Sequence, residues 1–128
     1  MASILVVDDS PVIRRVLDFT LRRAGHTTVA AEDGFVALDC LAHTGVDLAI
    51  IDLDMPVMDG LTLLRRLRAD ERHPDLPVIM LTGSGQGQDR HSAEAQGADA
   101  FLTKPASSVE LIEVVNRLLA CKDARAQD

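Results

Sequence analysis

The sequence alternates strand-like and helix-like segments five times, and that alternation limits the fold more than any other feature of the chain. Ile4-Leu5-Val6-Val7, Leu48-Ala49-Ile50-Ile51 and Val78-Ile79-Met80-Leu81 are short apolar runs without alternation, bounded by polar residues. Runs of this kind read as strands buried on both faces, as in a parallel sheet covered by helices. The strands are expected near Ser3 to Val7, His26 to Ala31, Asp47 to Ile51, Val78 to Thr82 and Ala98 to Thr103, the second being weaker. Between them lie helical stripes: Ile13, Val16, Leu17, Thr20, Leu21 and Ala24, ended by Gly25; then Ala37, Leu38 and Leu41; then Leu61, Leu64 and Leu67, with Arg65, Arg66 and Arg68 outward. A polar helix over about Gln88 to Gln96 follows, and Ser107-Ser108-Val109-Glu110 reads as a cap opening a last helix with Leu111, Val114, Val115, Leu118 and Leu119 inward. Right-handed crossovers then imply an α/β, doubly wound, five-stranded parallel sheet with helices on both faces. One domain is expected over residues 1–122, with 123–128 as a frayed tail.

Composition narrows the function. The chain has 128 residues, is 47% hydrophobic and 26% charged, and carries a formal net charge of −7, which argues against a nucleic-acid partner. With 2% aromatics and neither Trp nor Tyr, it lacks stacking platforms for single strands. No apolar stretch has the roughly 18 residues of a membrane span, and no basic region precedes the first strand, so a cytoplasmic location is expected. Cys40 and Cys121 read as reduced thiols. His26, His43, His73 and His91 lack metal-ligand spacing and read as solvated.

The chemistry is carried by strand ends. Four strands end in Asp8-Asp9, Asp52, Thr82 and Lys104, and in a parallel sheet all four ends share the edge at which ligands bind. Two carboxylates ~4 Å apart repel by about 4 kcal/mol at an effective dielectric near 20. A hard divalent cation such as Mg²⁺ offsets that repulsion and leaves water positions for a phosphate to fill. Asp9 and Asp52 can hold Mg²⁺ while Asp8 supports its waters. Lys104 can pair a phosphoryl oxygen, Thr82 can donate to another, and Asp52 can act as nucleophile.

Taken together, Asp8-Asp9, Asp52-Leu53-Asp54-Met55-Pro56-Val57-Met58-Asp59-Gly60, Thr82-Gly83 and Phe101-Leu102-Thr103-Lys104-Pro105 resemble the receiver domain of bacterial two-component response regulators. The likeness covers essentially the whole chain and is to the stand-alone, CheY-like members. It implies a flavodoxin-like strand order 2-1-3-4-5 and a single-domain response regulator of a phosphorelay, which is a switch rather than a turnover enzyme. It implies Asp52 as phospho-acceptor, and Asp8, Asp9, Asp52 and the Asp54 backbone carbonyl as the Mg²⁺ ligands. Thr82, Gly83 and Lys104 would bind the phosphoryl group, and Thr82 and Phe101 would form the switch. The implied partners are a histidine kinase or histidine phosphotransfer protein and a downstream protein target, met by the face of the fourth helix, fifth strand and fifth helix, with neither nucleic acid nor membrane among them. Lys104-Pro105 matches a position where a cis peptide is common. Gly83, the acid at Asp54, Ser84 and Ala106 depart from the usual pattern; positions Asp54 and Ser84 bear on phosphoryl lifetime.

Three weaker features complete the reading. Val12 and Phe19, seven apart, form a flank of the first helix that could meet the phosphodonor. Val36 and Cys40 form a similar pair on the outer face of the second helix, read as unremarkable surface. The glycines from Gly83 to Gly87 lack a P-loop ending and read as a hinge. Two other functions are open: a receiver-fold binding module that is never phosphorylated, and an Asp-nucleophile phosphatase using Asp52-Leu53-Asp54.

Overall fold

The structure, a computed structural model, describes residues 2–72, 75–83, 87–104 and 106–126, with the backbone alone at 87–89 and 123–126. His73, Ser84, Gly85 and Pro105, and with them the cis-peptide and most of the hinge expectation, lie outside the described residues. The elements are β1 (Ser3–Val7), α1 (Pro11–Arg23), β2 (Thr27–Ala31), α2 (Gly34–His43), β3 (Leu48–Asp52), α3 (Gly60–Ala69), β4 (Val78–Thr82), α4 (Gly87–Ala95), β5 (Ala100–Thr103) and α5 (Ser108–Ala126). The strands form one parallel sheet in the order β2-β1-β3-β4-β5. The expected architecture is borne out.

Helix starts are fixed by side chains that satisfy otherwise orphan amides. Ser10 accepts from the Ile13 N–H, Asp33 from Val36, Asp59 from Thr62 and Ser107 from Glu110. Each such cap contributes about 1 kcal/mol. Gly25, at φ +94°, turns the chain out of α1 in a conformation that side chains disfavour.

Two cores sandwich the sheet. Leu5, Val7, Ala49, Ile51, Val78 and Met80 face α2 and α3 through Ala37, Leu41, Leu63, Leu64 and Leu67. Ile4, Val6, Leu48, Ile50, Ile79 and Leu81 face α1 and α5 through Leu17, Leu21, Leu111 and Val115. The central strands are buried on both faces, which is why they read as unbroken apolar runs.

Several inferred positions are corrected. Val16 is 54% exposed, because Leu17 and Leu21 fill the interface and Val16 lies about 100° further round α1; Ala24 is also exposed. Val36 and Cys40 are half-buried against the α2 side, and Phe35 takes the outward position instead. Arg68 is not a solvated arginine: it donates to the Leu76 carbonyl at 2.7 Å and the Gly97 carbonyl at 2.8 Å, joining α3 to the turn before β5. His26 is half-buried, its Nδ1 accepting from the Ala2 N–H and its Nε2 3.3 Å from Asn116 Oδ1. Helix α5 spans Ser108–Ala126; its sequence from Cys121, Cys-Lys-Asp-Ala-Arg-Ala, contains neither Gly nor Pro, and Lys122 donates to the Asp47 carbonyl.

Candidate phosphoryl-acceptor and metal site

Sheet register assembles the site. Val7 pairs with Ile51, so the next residues, Asp8 and Asp52, leave the sheet side by side. Asp52 pairs with Leu81, and Thr82 with Thr103, which brings Thr82 and Lys104 to the same edge.

Asp8 is 1% exposed and held at four points. Its N–H donates to the Ala31 carbonyl, its own carbonyl accepts from Arg14 at 2.6 Å, Oδ1 accepts from the Ser10 N–H at 2.9 Å, and Oδ2 accepts from Lys104 Nζ at 2.8 Å. Asp52, 3% exposed, is 3.2 Å from Lys104 Nζ through Oδ1, which also accepts from the Asp54 N–H. Asp9 is exposed, and carboxylate oxygens of Asp8, Asp9 and Asp52 lie within 4.8 Å of one another. The Lys104 ammonium is thus paired with two buried carboxylates, with the Asp9 carboxylate close to both and the Arg14 guanidinium on the Asp8 backbone. Burial, and then the Asp8 charge, push the Asp52 carboxyl up to about 6, against the pull of Lys104 and the Asp54 N–H. Burial works to lower the Lys104 ammonium, but hydrogen bonding and attraction to Asp8 and Asp52 outweigh it and hold its pKa above the usual lysine value.

These oxygens suit a hard divalent cation, which takes carboxylate ligands and offsets the repulsion that burial intensifies. The loop after β3 closes the site. Met55 and Met58 are buried beneath it, and the Gly60 N–H donates to the Leu53 carbonyl. A Cβ at Gly60 would lie 2.5 Å from the Asp52 carbonyl oxygen and 2.8 Å from Leu53 Cα, so only glycine allows α3 to start this close. Val57, at the loop's apex, sits at φ +72° and is 85% exposed, a strained conformation for a β-branched residue.

The chain matches the response regulator receiver domain family over residues 4–116. The chain belongs to that family. This receiver is 37% identical over 116 residues to the chemotaxis protein CheY of Pseudomonas aeruginosa, covering 90% of this chain and 94% of that protein. It is 40% identical over 123 residues to the DNA-binding dual master transcriptional regulator RpaA of Synechocystis, covering 96% of this chain and 51% of that protein. The receiver therefore spans about half the length of the first curated relatives it matches. Among solved structures, chemotaxis protein CheY4 of Vibrio cholerae superimposes with a TM-score of 0.88 at 33% identity, covering 92% of this chain and 98% of that one. The receiver domain of a sensor histidine kinase from Pseudomonas aeruginosa PAO1, whose active-site cleft coordinates a magnesium ion, superimposes with a TM-score of 0.86 at 30% identity, covering 93% and 98%. The likeness to chemotaxis proteins, response regulators and kinase receiver domains places the chain in two-component phosphoryl-transfer signalling.

Asp8, Asp9, Asp52, Thr82 and Lys104 are at the edge to which the sequence assigned them. Phe101 is half-buried against the α2–α4 side of the sheet. Gly83 is exposed, and a Cβ there would meet nothing within 4 Å, so its glycine is not sterically required in this conformation. Two contacts escaped sequence reasoning. One is Arg14 on the Asp8 carbonyl. The other is the Thr82 hydroxyl, which donates to Asp54 Oδ2 at 3.2 Å. Both depend on side-chain direction across elements, for which linear spacing carries no signal.

Proposed function

We propose that this receiver accepts a phosphoryl group on Asp52 from a phosphohistidine on a partner protein and uses the modification to change its affinity for a downstream protein. The observation that carries this reading is the ammonium of Lys104 shared between buried Asp8 and Asp52. Such a site is under-compensated in charge and accommodates a cation and then an anion. In the transfer, an Asp52 carboxylate oxygen attacks phosphorus, the P–N bond breaks, and its electron pair returns to the imidazole nitrogen. Lys104 exchanges part of its carboxylate pairing for a phosphoryl oxygen, and the Thr82 hydroxyl donates to another. Asp8, Asp9, Asp52 and the Asp54 carbonyl are the groups that would hold Mg²⁺. When bound, the ion supplies positive charge against the charge that accumulates on the transferring group.

Asp52 is consumed in each phosphorylation, so the protein is a switch with slow self-hydrolysis rather than a turnover enzyme, and the cytoplasm is its expected compartment. Val12, Val16 and Phe19, 67%, 54% and 61% exposed, line one flank of α1 and support docking of the phosphodonor there. The α4–β5–α5 face is the proposed output surface. Incubation with acetyl phosphate and Mg²⁺, followed by intact mass, tests the acceptor. The wild type should gain one PO₃ and Asp52→Asn none; equal uptake by both would overturn the assignment.

A further inference from the structure

Of the three acids at the metal site, two are tied down through their own side chains and one is not. Asp8 accepts from the Ser10 N–H and from Lys104, and Asp52 accepts from the Asp54 N–H beside the same lysine. The Asp9 carboxylate is exposed and makes no hydrogen bond or ion pair among the described residues. Its place within 4.8 Å of the other two therefore depends on the backbone that carries it. That backbone is braced from α1. Arg14 donates through Nη1 at 2.6 Å to the Asp8 carbonyl, which belongs to the peptide unit joining Asp8 to Asp9. Beyond Asp9, the Ser10 carbonyl accepts from the Arg14 N–H at 3.0 Å, and the Ser10 hydroxyl accepts from the Ile13 N–H. Arg14 thus grips the chain on both sides of Asp9, with its side chain before it and its main chain after it.

From this geometry we infer that Arg14 is a positioning residue for the metal site: its bond to the Asp8 carbonyl fixes the Asp8–Asp9 peptide and so holds the Asp9 carboxylate where a hard divalent cation can use it. The inference rests on the ligand set proposed for Mg²⁺ and goes beyond it, since Arg14 supplies no ligand atom. Position and charge pull in opposite directions here, which makes the role measurable. A guanidinium close to a cation site repels the cation, so if Arg14 acted through charge alone its removal would tighten Mg²⁺ binding. A brace does the reverse, because outer partners that orient a metal ligand typically account for about tenfold to hundredfold in affinity.

Mg²⁺ titration of the unphosphorylated protein, followed by amide NMR shifts, gives the dissociation constant. Arg14→Met keeps most of the aliphatic stem and removes charge and donors; it should weaken Mg²⁺ binding about tenfold. Arg14→Lys keeps the charge and a donor and should stay within about threefold of wild type. Arg15, exposed on the same helix, has no hydrogen bond or ion pair among the described residues, so Arg15→Ala removes an equal charge and should leave the affinity unchanged or slightly tighter. A second readout needs no metal. In the metal-free protein the Asp9 amide order parameter should fall from the rigid range of about 0.85 to below about 0.6 in Arg14→Met and stay rigid in Arg14→Lys. Unchanged or tighter Mg²⁺ binding by Arg14→Met would overturn the inference. So would equal weakening in Arg14→Met and Arg15→Ala, a loss in Arg14→Lys as large as in Arg14→Met, or an Asp9 amide that stays rigid in Arg14→Met. A wild type that binds no Mg²⁺ would instead refute the ligand set, and the order parameters would still decide whether Arg14 holds Asp9.

Discussion

The two ends of the sheet use the same residue types to opposite effect. At the carboxyl end, Lys104 faces Asp8 and Asp52 with side chains 22%, 1% and 3% exposed. At the amino end, Lys122 faces Asp47 at 3.6 Å with side chains 35% and 49% exposed. There Asp47 also accepts from the Ser3 N–H at 2.8 Å, so one acid has both a backbone donor and a cation beside water. The first arrangement concentrates charge where solvent cannot relieve it; the second is an ordinary surface tie. Burial, not composition, separates a site under strain from a structural clasp.

The largest effect should come from removing the cation at the strained end. Lys104→Ala leaves two buried carboxylates without their ammonium, which costs on the order of 3 kcal/mol at pH 7. Urea unfolding of the metal-free protein would measure it. The same change in an Asp52→Asn background should cost about half as much, because one of the stranded charges is gone. A full-size loss there would mean that Lys104 acts mainly through packing.

Next in size is a pH effect with a definite sign. The Asp52 carboxyl is raised from 3.8 to about 6, so the folded state holds this proton more tightly than the unfolded chain does. Its contribution therefore favours folding at low pH and is lost as pH rises from about 4 through 6, by on the order of 3 kcal/mol. Asp52→Asn should match wild type near pH 4 and exceed it in stability at pH 7. Saturating Mg²⁺ should narrow the gap by stabilising the wild type alone. Asp18, whose carboxyl is held low by the Thr28 hydroxyl and then by Arg22, acts in the opposite sense and loses its contribution on acidification. Wild-type and Asp52→Asn stabilities that run parallel across this window would break the contrast between the two ends.

What could be read in advance follows the same division. The ten elements were legible because β1, β3 and β4 are bounded apolar runs and α1, α2, α3 and α5 carry apolar stripes, while the weaker β2 and β5 and the polar α4 followed from the alternation. Asp8, Asp52, Thr82 and Lys104 were legible because each directly follows or ends such a run, and a parallel sheet sends all run ends to one edge. The Thr82–Asp54 and Arg14–Asp8 bonds were not, since both depend on where side chains point after the loops close. Val57 at positive φ was not legible either, because β-branched residues are the least expected there. The Lys122 contact was not legible either, since it reaches the residue just before β3, 75 positions away.

Two glycines carry the comparison into the backbone. Gly60 sits against the Asp52 carbonyl at the strained end, so Gly60→Ala should cost about 2 kcal/mol by overpacking against backbone that cannot yield. Gly45, at the amino end, has nothing within 4 Å of a Cβ, so Gly45→Ala should be neutral or slightly stabilising. Thermal denaturation of the two variants should separate them by several degrees.

The smallest effect belongs to Lys122→Ala. Its ammonium is 3.6 Å from Asp47 Oδ1 and donates to the Asp47 carbonyl at 3.2 Å, both near water. Removing it leaves the better bond, from Ser3 to Asp47, in place. The loss should stay below about 1 kcal/mol and shrink further in 1 M NaCl, where the Debye length is about 3 Å. Urea midpoints at 0.1 M and 1 M NaCl would measure both. A salt-insensitive loss above about 2 kcal/mol would mean that Lys122 fixes the end of α5 through packing of its aliphatic stem. The amino-end pair would then matter to the fold as much as Lys104 matters to the site, and exposure would no longer distinguish the two ends.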